Sequence, residues 1–396
     1  MLRGDAAGQA NTGRSPPPAD RVPALGTMRT LLAISVLIQH SSPIFGIRLL
    51  AGDPAVICFF VISGFLMTLI LNEKYQDLKA FYVNRGLRIY VPYLSAALLS
   101  LVLFLVVADM PYNPLRTYAR ALDAGNVLWV AWGTISNVTL VGTDLLRYGM
   151  IEPGFATLVF PSFLHGITTG GHELLLVPQS WTLAIELQFY LVAPFLVRLR
   201  LRWILLATIA LLFIRASVYN QLRALNFPID DSAIFPMMLA YFLLGTVAYH
   251  GYRVWRDASF SPAVKRGVSA LMLLLGITLI FTGHVLLEDA TREAYDLFYL
   301  AIAVVLPFAF HLTSDWRWDS RVGDYSYPIY LFHFVLASLM VALGVPSTST
   351  GPWVLVATIA VCTVFLQLVD KPLQRVRRRI AARGRAPASR PGEAPA

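Results

Sequence analysis

Charged residues are scarce in this sequence. Of its 396 residues, only 14% are Asp, Glu, Lys or Arg, whereas 57% are hydrophobic. Ordinary soluble domains carry about 25% charged residues, so this composition excludes a pair of soluble globular domains. It predicts an all-α fold, a polytopic transmembrane helical bundle with about ten spans.

Cysteine is almost missing as well. The two cysteines, Cys58 and Cys362, both lie in apolar runs, which excludes a disulfide framework or a cysteine-rich metal cluster. His165, His172 and Glu173 share one loop, but the convergent ligands that a metal needs are not visible, so we expect no bound metal. No internal repeat is visible either, which disfavours a transporter built from duplicated halves.

Ten apolar runs of about 17 to 25 residues are long enough to be predicted as membrane spans. They cover residues 28–47, 53–72, 89–108, 180–198, 203–219, 233–250, 266–287, 294–313, 325–343 and 352–370. Basic residues between these runs alternate between the two sides. This alternation predicts that both termini are cytoplasmic.

The positive charge is concentrated near the C-terminus. The net charge is +9, and eight Lys and Arg residues fall between Lys371 and Arg390. Such a cluster is typical of a cytoplasmic flank that contacts anionic membrane lipid. Nucleic acid is the less favoured partner, since the sequence contains no basic folded domain that would bind it.

The chain divides into three parts on this pattern. Residues 1–27, rich in Gly, Pro and Ala, are predicted to be a disordered cytoplasmic lead-in. They are not expected to be a signal peptide, because no small-residue cleavage site follows the first apolar run. Residues 28–372 form the predicted transmembrane domain, and residues 373–396 form a basic cytoplasmic tail.

The segment 109–179 begins and ends on the outer side by this count of spans. It is expected to be external or re-entrant, with short helices over 126–142 and 148–164. Because the segment starts and finishes on the same side, it contains either no complete span or two. Gly133, Gly154 and Pro161 interrupt the two apolar patches, as is typical of re-entrant or interfacial helices.

The first span carries Arg29 and His40, eleven residues apart. A helix rises about 1.5 Å per residue, so His40 lies about 16 Å beyond Arg29, near mid-membrane if Arg29 marks the surface. Eleven residues make close to three turns, so the two side chains share one helix face. A histidine at that depth indicates proton transfer, although an interhelical hydrogen bond explains it equally well.

Arg85 and Arg88 follow the second span in an amphipathic segment and are three residues apart. On a helix they share one face. Two guanidinium groups placed in this way suit a phosphate or pyrophosphate group. The simpler alternative is that both arginines serve only as the positive flank that membrane topology requires.

The fourth predicted span begins with Ser180 and Trp181 and carries Glu186 and Tyr190. Glu186 is expected about 8 Å below the outer surface, where a carboxylate needs a partner or a polar cavity. It would orient His40, as the acid of a catalytic triad orients its histidine, or bind sugar hydroxyls, or pair with an arginine.

A second polar stripe lies in the ninth predicted span. Tyr330 and His333 are three residues apart and share a helix face in otherwise apolar sequence. Aromatic residues near the end of a span commonly form an interfacial belt. His333 lies deeper, and its depth favours a functional role.

Four stretches in this order resemble the acyltransferase-3 family of integral membrane acyltransferases: RTLLAISVLIQH, FFVISGFLMT, FYVNRGLRIYVPY and SWTLAIELQFYLVAP, with YSYPIYLFH near the end. The resemblance covers roughly residues 25 to 370. It implies transfer of an acyl group, commonly acetyl, from cytoplasmic acyl-CoA to a hydroxyl of a carbohydrate or lipid-linked glycan. Acyl-CoA would be a co-substrate at the bacterial inner membrane, with no cofactor bound permanently.

The resemblance also implies roles for single residues. His40 and Arg29 would be the catalytic pair, and Glu186 would be a required acidic residue. Arg85 and Arg88 would contact the acyl donor. The residues that would lie near the acceptor or support the site are Ser180, Trp181, Tyr190, Tyr330 and His333.

These observations lead to one hypothesis and two rivals. Acyl-CoA is expected to dock with its thioester towards His40, which acts as general base on the acceptor hydroxyl or takes the acyl group itself. The leading alternative is a glycan or lipid transporter or flippase that uses buried His and Glu as a proton relay. A structural scaffold is less favoured, since it leaves buried Arg29 and Glu186 without a purpose.

Overall fold

The computed structural model describes residues 24–73, 77–152, 155–158, 170–224 and 234–383. The helices in the first half of the chain are α1 (Gly26–Gln39), α2 (Gly52–Glu73), α3 (Leu78–Val106), α4 (Pro114–Asp123), α5 (Val127–Thr139) and α6 (Trp181–Leu196). Those in the second half are α7 (Leu201–Ala224), α8 (Phe235–Asp257), α9 (Pro262–Leu286), α10 (Arg292–Thr313), α11 (Arg317–Ala342), α12 (Thr350–Phe365) and α13 (Lys371–Arg383). The protein is a helical, polytopic membrane bundle.

Each of the ten predicted spans overlaps a helix, namely α1, α2, α3 and α6 to α12. Seven helices of the described chain are long and apolar enough to cross a membrane. Of the other three predicted spans, α8 is less apolar, and α1 and α6 contain only 14 and 16 residues. The two short helices rise about 21 and 24 Å, less than the hydrocarbon thickness of about 30 Å.

The first span is shorter than the sequence predicted. α1 ends at Gln39, and His40 is its C-terminal cap, so a continuous helix over 28–47 is wrong. Two serines and Pro43 follow His40, and the residue before a proline is disfavoured in helical geometry. The chain therefore leaves the helix at His40, and the imidazole is positioned by the end of α1 rather than by its middle.

The segment 109–179 contains the helix expected over 126–142, which is α5. The helix expected over 148–164 is wrong for its first part, because β1 (Gly149–Glu152) and β2 (Phe155–Leu158) pair there as an antiparallel hairpin. The Pro153–Gly154 sequence between them is typical of turns and not of helices. Residues 159–169 lie outside the described part of the chain.

α1 and α11 pack side by side and run in parallel. The Asp319 carboxylate accepts hydrogen bonds from the backbone N–H groups of Gly26 and Thr27, both at 2.8 Å. It thereby caps the N-terminus of α1, where a negative charge is favourable. Gly26 lies directly against Gly323, since a Cβ atom added at Gly323 would lie 2.6 Å from the Gly26 Cα atom.

α2 is the most deeply buried of the seven candidate spans. It contacts α8 at Gly64 and Gly245, where an added Cβ atom would lie 1.9 Å from a backbone oxygen of the other helix. Small residues at such contacts let membrane helices approach closely. α2 is consequently surrounded on several sides and lines the cavities described below.

The first part of the basic tail forms a helix that packs against the bundle. A π-helical turn, Leu366–Asp370, joins α12 to α13, and α13 packs against α3. Arg377 of α13 is only 5% exposed. Residues 373–383 of the predicted tail are therefore part of the folded bundle, whereas 384–396 and the predicted lead-in up to residue 23 lie outside the described residues.

A methyl group at Gly26 is expected to destabilise the protein. A Cβ atom there would lie 1.8 Å from the Asp319 carbonyl oxygen, so α1 and α11 must separate, at a cost of about 1–3 kcal/mol. Gly26→Ala should therefore lower the melting temperature in detergent. The matched control is Gly267→Ala in α9, where nothing lies within 4 Å of an added Cβ atom. An unchanged melting temperature for Gly26→Ala would contradict the tight α1–α11 contact.

Candidate functional site

A cavity of about 120 Å³ lies in the middle of the bundle, between α1, α2, α3, α6 and α11. We call it the central cavity. Its charged lining residues are Arg29 from α1, Arg85 and Arg88 from α3, and Glu186 from α6. Three guanidinium groups against one carboxylate make this cavity electrostatically suited to an anionic ligand.

The continuity of α3 brings Arg85 and Arg88 into the central cavity. α3 begins at Leu78 and is capped by Asp77, whose carboxylate accepts hydrogen bonds from the backbone N–H groups of Lys79 and Ala80 at 2.9 and 3.3 Å. The amphipathic segment and the third span are thus one helix. The predicted shared face of the two arginines is confirmed, since both line the same cavity.

Arg29 is oriented by α11. Its Nη2 atom donates a hydrogen bond to the Ser326 hydroxyl at 3.0 Å, and that hydroxyl donates to the Gly323 carbonyl at 2.8 Å. Arg29 is three residues beyond Gly26, where α1 begins. The same close contact that joins α1 and α11 therefore also sets the depth of this guanidinium group.

Glu186 belongs to the central cavity and not to the surroundings of His40. Its Oε1 atom accepts hydrogen bonds from the Ser63 hydroxyl at 3.0 Å and from the Tyr190 hydroxyl. The expected pair in which Glu186 orients His40 is not formed among the described residues, because the two side chains line different cavities. Glu186 instead shares a cavity with Arg29, and Tyr190 lines that cavity beside it.

His40 lines a second and larger cavity, of about 990 Å³, which we call the large cavity. Trp181 also lines it, with the Arg147 guanidinium carbon 4.6 Å from the centre of its ring. Tyr112 and Asp53 add a further aromatic ring and a carboxylate. Aromatic faces beside charged and hydrogen-bonding groups are typical of sites that hold polar organic ligands.

The hydrogen bonds around His40 determine which of its nitrogens carries the proton. Nδ1 of His333 lies 2.8 Å from the Tyr330 carbonyl oxygen, and a carbonyl accepts only, so this Nδ1 donates. Nε2 of His333 is then an acceptor in the neutral ring. His40 Nδ1 lies 3.0 Å from that Nε2 and 3.0 Å from the Val36 carbonyl oxygen, so it carries the proton.

This chain of hydrogen bonds leaves Nε2 of His40 as a proton acceptor. The tautomer of a histidine is set by the bond that its other nitrogen makes, and His333 makes that bond from a fully buried position. The structure therefore brings together two histidines that are 293 residues apart. A neutral imidazole with an available nitrogen is the form that a general base requires.

Tyr330 and Val56 line both the central and the large cavity. The Tyr330 hydroxyl is hydrogen bonded to the Thr182 hydroxyl at 2.8 Å and donates to the Gln179 carbonyl at 3.2 Å. The Gln179 side-chain amide returns two hydrogen bonds, to the carbonyls of Tyr330 and Leu331, both at 2.9 Å. These bonds hold the Tyr330 side chain as the partition between the cavities.

Ser180 differs from the other predicted residues because it lies outside the lining of both cavities among the described residues. It is buried, and its carbonyl accepts a hydrogen bond from the Thr143 hydroxyl at 3.2 Å. Ser63 and Gln179, which hold Glu186 and the Tyr330 backbone in place, were not among the predicted site residues. Serine is common in membrane helices, so the residue type alone carried little signal.

Comparison with known proteins points to one family. The model of the acyltransferase-3 family, which is described as an acyltransferase domain, matches residues 22–368 of the chain. Over 405 residues, the chain is 25% identical to a nodulation protein of Rhizobium leguminosarum bv. viciae, covering 90% of this chain and 94% of that protein.

A second relative has a named activity. The chain is 24% identical over 389 residues to a peptidoglycan O-acetyltransferase of Listeria monocytogenes, which covers 89% of this chain. The match takes in only 56% of that longer protein. No solved structure gives a significant match to the chain.

NMR of ¹⁵N-labelled histidine tests the proton assignment. In the wild type, His40 should show a protonated Nδ1 and an unprotonated Nε2, because Nδ1 donates to Val36 and His333. His40→Ala identifies its signals. His333→Leu removes one acceptor and should increase the fraction of His40 with its proton on Nε2. A wild-type His40 with its proton already on Nε2 would contradict the assignment.

Proposed function

Because this chain belongs to the acyltransferase-3 family of membrane acyltransferases, we propose that it is an O-acyltransferase that uses acyl-CoA as donor. The transferred group is an acyl group, most simply acetyl. The acceptor is a hydroxyl of a carbohydrate or lipid-linked glycan at the bacterial inner membrane. His40 is the general base of the reaction.

One observation carries this proposal: a cationic cavity and a cavity that holds a histidine base meet at Tyr330 and Val56. Arg29, Arg85 and Arg88 line the first cavity, and His40 lines the second, with Tyr330 between them. A donor with a phosphate end and a distant thioester needs this separation of an anion site from the reacting group.

The donor is expected to enter from the end of the bundle that carries the arginines, which the charge pattern predicts to be cytoplasmic. Its phosphates lie against Arg85 and Arg88, and its acyl arm follows the central cavity past Arg29 and Glu186. The lining of that cavity extends along α2 from Val56 to Ile70, about 21 Å of helix. The thioester thereby arrives at Tyr330 and faces the large cavity.

The reaction follows from the proton assignment. Nε2 of His40 takes the proton of the acceptor hydroxyl, and the oxygen attacks the thioester carbonyl carbon. A new ester C–O bond forms, the C–S bond breaks, and the thiolate leaves with the proton returned by His40. His333 acts as a positioning residue, since it holds the proton of His40 on Nδ1 and contacts the base rather than the substrate.

The size and chemistry of the large cavity support a carbohydrate acceptor. Its volume is about 990 Å³, within the range that holds sugar-sized or larger ligands. Trp181 and Tyr112 present aromatic faces, and Asp53 and Arg147 present hydrogen-bonding groups. The relative from Listeria that is named for peptidoglycan acts on a glycan polymer, and this agrees with the same class of acceptor here.

Removal of the base is expected to abolish transfer. Mass spectrometry of surface glycans and glycolipids should show an acyl-sized mass difference in cells with the wild type, lost in the deletion and in His40→Ala. His284→Ala is the matched control, because His284 lies in α9 outside the lining of both cavities, and its ring is hydrogen bonded to the Phe281 carbonyl at 2.9 Å. Full acylation with His40→Ala would overturn the mechanism. Unacylated glycan accumulating on the wrong side of the membrane would favour the flippase.

Loss of a guanidinium group from the central cavity is expected to weaken donor binding. Arg88→Gln should raise the KM for acyl-CoA by about tenfold or more, since a charge-assisted hydrogen bond contributes about 1.5–3 kcal/mol. The KM for the acceptor should stay unchanged. Arg202→Gln, at an exposed position of α7, is the control. Equal effects on both KM values would contradict a donor-specific role.

A further inference from the structure

A third cavity, of about 80 Å³, lies where α13 meets α3 and α11. We call it the arginine pocket. Four arginines line it, and they come from three helices: Arg29 from α1, Arg88 from α3, and Arg377 and Arg378 from α13. Its volume is small and its charge is high, so it suits a compact anion rather than a whole nucleotide.

The C-terminal helix is held at this pocket by a specific pair of hydrogen bonds. Arg377 Nε donates to the Asn84 side-chain oxygen at 2.7 Å, and the Asn84 amide donates to the Arg377 carbonyl at 3.0 Å. Both residues are buried, Asn84 completely. Burying a guanidinium group is costly unless its surroundings compensate the charge, and Asp324 and Asp370 line the same pocket as Arg377.

Acidic groups compensate only part of the positive charge. Asp324 and Asp370 also line the pocket, and one Asp370 oxygen accepts a hydrogen bond from the Gln374 amide at 2.5 Å. Arg29 and Arg88 also line the central cavity, so the two spaces together hold five arginines against Glu186, Asp324 and Asp370, an excess of two positive charges. A phosphate group carries a matching charge, and arginine is the side chain best shaped to bind it.

The arginine pocket adjoins the central cavity. Arg29, Arg88 and Tyr327 line both spaces. A single ligand with two separate anionic groups can therefore place one group in each space. From these shared residues, the central cavity continues towards Tyr330 and the large cavity that His40 lines.

From these contacts we propose that the arginine pocket binds a second phosphate centre of the acyl donor, apart from the diphosphate. Coenzyme A carries such a centre as the 3′-phosphate of its nucleotide. The proposal rests on the proposed function, because it requires an acyl-CoA donor. It adds α13 to the donor site, although Arg377 and Arg378 lie beyond residues 22–368, where the family match ends.

The test compares two ligands that differ only in this phosphate. Full-length protein in nanodiscs of zwitterionic lipid is titrated with coenzyme A and with 3′-dephospho-coenzyme A. The wild type should bind coenzyme A about tenfold more tightly, as expected for charge-assisted hydrogen bonds. Arg378→Ala should reduce this ratio towards one and leave the affinity for 3′-dephospho-coenzyme A nearly unchanged.

The neighbouring Arg379→Ala is the matched control, since Arg379 is also exposed and lies outside the pocket lining. It should keep the wild-type ratio. Arg377→Gln tests the buried arginine, and its melting temperature reports whether α13 stays docked. Suppose that Arg378→Ala still binds coenzyme A and transfers acyl groups, and that its affinity ratio between the two ligands equals that of the wild type. This result would overturn the inference about the arginine pocket and leave the proposed function intact. Absence of coenzyme A binding to the wild type would overturn the proposed donor as well.

Anionic lipid is the other source of a phosphate at this position. The same titrations in nanodiscs that contain phosphatidylglycerol separate the two sources. If phosphatidylglycerol changes neither the affinity ratio between the two coenzyme A ligands nor the effect of Arg378→Ala on that ratio, the result supports binding of the donor 3′-phosphate. If Arg378→Ala alters binding of phosphatidylglycerol but not discrimination of the 3′-phosphate, the pocket binds lipid and the proposal fails.

Discussion

The contact between α1 and α11 is the constraint on which the rest of the site depends. Asp319 caps the first turn of α1, and Gly26 lies against the backbone of α11 without an intervening side chain. With the two helices parallel and in this register, Arg29 reaches Ser326 and His40 reaches His333. A shift of one residue along the contact would separate both pairs, so one packing interaction positions the cationic group and the base together.

The cavities follow from that arrangement. The arginine pocket, the central cavity and the large cavity lie in succession, and each shares lining residues with the next, first Arg29 and Arg88, then Tyr330 and Val56. Charged groups inside an apolar bundle are costly unless they face such spaces or one another. The arginines and Glu186 line the central cavity, whereas His333 is fully buried and holds His40, which is exposed in the large cavity.

Much of the fold could be predicted, since apolar runs of sufficient length form helices in a membrane. The errors have local causes. α1 ends at Gln39 because serines and Pro43 follow it, and a hairpin replaces part of the helix expected over 148–164 because a Pro–Gly sequence favours a turn. The charge pattern of the basic tail did not indicate that α13 packs against α3, where Asn84 and Arg377 form a buried pair.

Span positions, the shared face of Arg85 and Arg88, and the family resemblance were all contained in local sequence. Helix periodicity and the order of motifs depend only on neighbouring residues. Packing decided which distant residues meet. It placed Glu186 with Ser63 and the arginines instead of with His40, and it gave His40 a partner in His333. Such pairings depend on helix register and close approach across nearly 300 residues of chain, and no spacing along the sequence reports them.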